Sequence, residues 1–64
     1  MEAMALKAAQ VAVKKVPYLA CGMLEAEIHW YLEHTVGLDR ISDEIFNIGD
    51  RALDIACNIL RDRV

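Results

Sequence analysis

One stretch limits the possible folds more than any other: Leu38 to Leu60, LDRISDEIFNIGDRALDIACNIL. Wound at 3.6 residues per turn, it places Ile41, Ile45, Ile48, Ala52, Ile55 and Ile59 at alternating steps of four and three, an a/d-type seam. Phe46, Leu53 and Leu60 form a second row beside it. Gly49 and Ala56 lie between the rows, where small residues let another helix come close. Together the rows cover about half the circumference, more than the usual apolar stripe. Such a helix needs two neighbours, and part of its surface is expected to face another subunit.

The remaining arc is polar. Asp39, Asp43, Asn47, Asp50 and Asp54 fall on one line if the helix is continuous. Acids near a helix start are favoured by the dipole, so a solvated face is one reading. An oxygen-rich site for a metal or a partner is the other.

Composition turns this pattern into an expectation about assembly. The chain has 64 residues, 56% of them hydrophobic, enough for one small domain (residues 1–64) with more apolar surface than its core hides. Self-association as a homodimer or higher is expected. A net charge of −3 argues against a nucleic-acid face. No apolar run reaches the length of a membrane span, and the start, MEAMALKAAQ, lacks a signal-peptide pattern, so a cytoplasmic setting is expected. The two cysteines, Cys21 and Cys57, form no CxxC pair and read as buried structural thiols rather than a disulfide or reactive thiols.

Residues 2–16 read as an Ala-rich helix. Leu6, Ala9, Val13 and Val16 share a face, widened by Ala5, Ala8 and Ala12. Its three Lys face nine acids in residues 17–64, which favours packing of this helix on the rest. Val16–Pro17 breaks it, and a second helix is expected from about Tyr18. That helix has two apolar faces. Cys21, Leu24, Ile28, Tyr31, Leu32 and Thr35 make one, and Leu19, Met23, Ala26 and Trp30 make the other. Glu25, His29 and Glu33 run between them as a surface ladder. A Glu-xxx-His pair also suits metal ligation, but carboxylate-bridged bundles require several such motifs and this chain has one.

Gly37 carries two opposed signals. Gly followed by Asp39 or Ser42 reads as helix stop and restart. The apolar series 24, 28, 31, 35, 38, 41, 45, 48, 52 instead keeps helical steps straight through it. The phase favours one long helix kinked near Gly37. The fold is therefore expected to be all-α, a helical hairpin or three-helix chain over about 2–16, 18–36 and 38–63, the last two joined as one kinked helix in the favoured reading, assembling as a helical bundle.

LDRISDEIFNIGDR resembles the signature segment of the phosphate-uptake regulator family (PhoU-like domains). Leu38, Arg40, Ile41, Asp43, Asn47, Ile48 and Arg51 match in place, and Asp39 and Asp50 stand where the family often has Glu. The match covers residues 38–51 and no more of the chain. The resemblance implies a helical bundle in which this segment lies within one long helix. It also implies an acidic site for iron or other divalent metals, with Asp39 and Asp43 as the pair and Asn47 and Asp50 adjacent. It further implies regulation of transport through contacts with other proteins. Oxygen-liganded divalent metals, whether iron, manganese or magnesium, want about six ligands. One helix face offers fewer, so a metal site here requires a second acidic helix, such as a two-fold partner supplies.

The expected function is a non-enzymatic regulatory or interaction module, a homo-oligomeric bundle with an acidic face for a metal or partner. The alternative is a small helical inhibitor or adaptor that binds another protein through Trp30 and Tyr31. The interface set is Trp30, Tyr31, Ile41, Ile45, Phe46, Ile48, Leu53 and Leu60. An enzyme is disfavoured. Metal-dependent helical pyrophosphohydrolases need paired acidic i, i+3 motifs, and Glu44-xx-Asn47 and Asp50-xx-Leu53 do not supply them. The sequence has no phosphate loop, no Ser/His/Asp set in a recognisable context, and only two His, close together.

Overall fold

A computed structural model describes residues 2–63. Helix α1 spans Glu2–Lys15, α2 spans Cys21–Tyr31 and α3 spans Asp43–Asp62; a π-helical turn, Leu32–Val36, extends α2. No strand occurs among the described residues. Each helix packs on both others, so the chain is a three-helix bundle.

The contact between α1 and α3 is built from small side chains. Ala5, Ala8, Ala9 and Ala12 of α1 and Ala52 and Ala56 of α3 are all at most 1% exposed. Alanine stripes on facing helices let the axes come close, and alanine gives up no side-chain entropy in a helix. Leu6, expected on this face, is half exposed instead. The bulk comes from the third helix: Leu24, Ile28 and Leu32 meet Ile45 and Ile48, the largest fully buried side chains.

Ile45, Ile48 and Leu60 therefore belong to the chain's own core and not to a subunit interface. Helix α3 does have the two neighbours its wide apolar arc demands, but both come from its own chain. The radius of gyration, 10.6 Å, is close to the roughly 10.7 Å expected of a folded chain this long.

The chain turns at Gly37 and does not run on as a kinked helix. Gly37 adopts φ 90°, the left-handed conformation of a helix C-cap. The wide π turn brings the N–H groups of both Gly37 and Leu38 to the Leu32 carbonyl, at 3.0 and 2.9 Å. The restart is equally local. Asp39 Oδ1 accepts from the Ile41 N–H at 3.1 Å. The Ser42 hydroxyl donates to the Asp39 carbonyl at 2.7 Å and, as N-cap of α3, accepts from the Ile45 N–H at 3.2 Å. The last of these bonds satisfies one of the orphan donors of the new helix. Asp43 and Glu44 in its first turn complement the dipole.

At the other junction, α1 ends at Lys15 with Val16 still bonded to Ala12. The second helix begins at Cys21, three residues later than expected, after a tight turn in which the Ala20 N–H meets the Tyr18 carbonyl at 2.8 Å. Its N-cap is Ala20, which has no side chain able to cap. No helix is long and apolar enough to cross a membrane among the described residues.

Candidate functional site

The acidic line expected along α3 is not formed as one row. Asp39 lies outside the helix, in the turn before it, with its carboxylate committed to the Ile41 N–H. Asp43 opens the helix, and Asn47 and Asp50 follow as exposed residues on it. Among the described residues, no group of three or more His, Cys, Asp and Glu side chains could hold a metal ion. The break at Gly37–Ser42 separates the first residue of the set from the others.

The remaining polar face of α3 is tied to α1. Arg51 donates from Nε to Glu2 Oε1 at 2.9 Å and from Nη2 to Oε2 at 3.1 Å, and from Nη1 to Asp54 at 3.1 Å. The hydrogen bonds from Arg51 hold the Glu2 carboxyl below its usual range, and the same pairing raises Arg51 further. Both side chains are exposed, so this is a surface staple of modest energy. It commits the Arg51 guanidinium to an intramolecular contact.

His29 is not part of a solvated ladder. It lies half-buried in the α2–α3 seam, with its ring 5.9 Å from that of Phe46. Gly49 beneath it leaves the space its imidazole fills. This accounts for a small residue at 49, though the approaching helix belongs to the same chain.

The expected interface residues split three ways. Ile45, Ile48 and Leu60 are core. Tyr31 and Leu53 are half-buried against that core. Trp30, Phe46 and Ile41 are exposed by 51%, 51% and 77%. Ile41 stands out because it sits in the turn, before the seam begins. Trp30 and Tyr31, adjacent in sequence, point apart, so they do not make one patch.

What does make a patch is the second apolar face of α2. Met23, Ala26 and Trp30 are all exposed, spaced three and four residues apart on one side of the helix. Tyr18 extends the row, its hydroxyl 3.5 Å from the Met23 sulfur. At the other end Trp30 packs on His34, ring centroids 4.7 Å apart, and the Lys15 ammonium lies 5.1 Å from the Trp30 ring. Lys15 also pairs with Glu27 at 3.7 Å. An apolar row about 10 Å long, edged by charge and left about half exposed at Met23 and Trp30, has the character of an interaction surface.

One of the two cysteines, Cys21, is placed differently than expected. Cys57 is buried, but Cys21 is exposed, and their sulfurs are 4.0 Å apart. The sequence hides this, because the two residues are separated by 36 positions and meet only through the packing of α2 on α3.

No protein-family model, curated protein or solved structure matches this sequence.

Proposed function

We propose that this chain is a non-enzymatic interaction module that acts as a homodimer, joined through the Met23–Ala26–Trp30 face of α2. The observation carrying this reading is that an apolar row of a core helix, Met23, Ala26 and Trp30, stays exposed over two turns, with Met23 and Trp30 each 51% exposed. A second copy suits that face better than an unrelated protein because the row is nearly symmetric about Ala26. A two-fold axis there would cross two α2 helices at their smallest side chain and set Met23 of each copy against Trp30 of the other. Sulfur–aromatic contact and burial of the indole favour that pairing. A standard interface covers about 800 Å² per partner, roughly a fifth of this chain's 4102 Å². The exposed Asp43, Asn47 and Asp50 of α3 are on a different helix and would remain open to a further partner.

Sedimentation velocity on the wild type and on Ala26→Glu tests this reading. Ala26 is exposed, so the variant keeps its fold by circular dichroism. Two like charges at the crossing point oppose pairing. The wild type is expected to dimerise in the micromolar range and Ala26→Glu to remain monomeric. A wild type that stays monomeric at hundreds of micromolar, or a dimer indifferent to Ala26→Glu, contradicts the proposal.

A further inference from the structure

The approach of Cys21 to Cys57 supports an inference independent of the dimer. Their sulfurs are 4.0 Å apart in the reduced protein, and a disulfide needs about 2.05 Å. A closure of about 2 Å is within reach of χ1 rotation and a small backbone shift. The backbone at Cys21 can supply that shift. It is the first residue of α2, its N-cap Ala20 makes no side-chain hydrogen bond, and Gly22 beside it has open space around it. No third cysteine competes, because the sequence contains two. Cys21 is reachable from solvent, whereas Cys57 is 7% exposed.

We infer that Cys21 and Cys57 form a reversible dithiol–disulfide site, oxidised by low-molecular-weight disulfides, that clamps the start of α2 to the last third of α3. The exposed Cys21 thiolate attacks one sulfur of the small disulfide, forming a mixed disulfide and releasing one thiol. The Cys57 sulfur, having lost its proton, then attacks Cys21 Sγ; the mixed disulfide breaks, the protein disulfide forms and the second thiol leaves. Two electrons pass from the protein to the reagent, and the two thiol protons end on the two thiols released. Burial, and then the contact with Cys21, push the Cys57 thiol above its ordinary range, which makes Cys21 the first to react. The bond would secure a helix start that lacks a capping side chain. On α2, Cys21 and Met23 are about 200° apart, so the bond forms on the side away from the apolar row.

The test is exposure of the full chain to oxidised glutathione, followed by intact mass, thiol titration and thermal melting. The expected product is a single uncrosslinked chain about 2 Da lighter, with no free thiol. Its Tm is expected to be higher by about 10–20 °C, because the bond closes a long loop. Dithiothreitol should reverse both changes. Cys57→Ser should halt as the glutathione adduct on Cys21, and Cys21→Ser should react far more slowly. A wild-type product that stays as the glutathione adduct, crosslinks between copies, or forms the internal bond with no rise in Tm overturns the inference.

Discussion

Gly49 of α3 lies directly under the imidazole of His29 of α2: a Cβ at position 49 would come within 2.9 Å of His29 Nε2. The close packing of α2 on α3 at this level depends on that missing side chain. The obstructing atom is the tip of a side chain that can swing away, which determines what a substitution does. In the wild type, Gly49→Ala gains about 1 kcal/mol of helix propensity and loses a similar amount by moving His29 off Phe46. The net change should be small. In a His29→Ala background the same substitution should stabilise by about 1 kcal/mol. Urea unfolding of the four proteins in this double-mutant cycle reads the coupling.

The other two glycines make an opposed pair. Gly37 has φ 90° and open space around it, so the cost of a side chain there is backbone strain alone. Gly37→Ala should destabilise by about 1 kcal/mol, and Gly37→Val by more. Gly22 lies within α2, also in open space. Gly22→Ala should stabilise by about 0.5–1 kcal/mol. Thermal melts of both variants check the signs, and equal signs would contradict the turn at Gly37.

Leu24 and Ile28 are fully buried where α2 meets both other helices. Leu24→Ala should cost about 2–5 kcal/mol. A chain this short has a total stability of only about 3–10 kcal/mol, so the variant should be largely unfolded near physiological temperature by far-ultraviolet circular dichroism. Met23→Ala, one residue away on the exposed face, should leave the monomer's melt nearly unchanged.

The Glu2–Arg51 staple sets a pH dependence. Hydrogen bonding to Arg51, reinforced by its charge, holds the Glu2 carboxyl below its ordinary value of 4.5. A carboxyl lowered in this way contributes stability that is complete above its ordinary value and fades as pH falls through the lowered one. Glu2→Gln should therefore melt slightly below the wild type at neutral pH. The two curves should converge on the acid side of pH 4.5. A gap that persists into strong acid would assign the effect to packing instead of charge.

The helices themselves were legible in the sequence because their signals are local. The alanine-rich start, the break at Val16–Pro17 and the apolar arc from Ile45 to Leu60 all appear as helices or their limits, whereas Leu38–Ser42, expected to begin the third helix, form the turn before it. At Gly37, two correct rules conflicted. Helical phase carried through the turn because Leu32, Leu38 and Ile45 all pack toward the same core from different elements, and a loop of suitable length preserves phase by chance. The capping chemistry of Gly37, Asp39 and Ser42 was the better guide. Once those residues serve the turn, Asp39 has left the helical line that Asp43, Asn47 and Asp50 continue. The wide arc of α3 was read as a subunit interface because the sequence does not reveal that α1 and α2 reach it from opposite sides. The Cys21–Cys57 approach had no sequence signal. The Leu19–Met23–Ala26–Trp30 face did, and all four of its residues are exposed.

Trp30 is the chain's single tryptophan, and it lies at the end of that face, so its fluorescence reports on pairing without any label. The direct test is to record its emission and its quenching by iodide from nanomolar to hundreds of micromolar protein. If α2 is the dimer face, emission should move to shorter wavelength and quenching should fall along one binding curve, and Ala26→Glu should abolish both changes. Emission and quenching that stay constant across the whole range would show that Trp30 remains in water, and the account of this chain as a self-pairing module would fail.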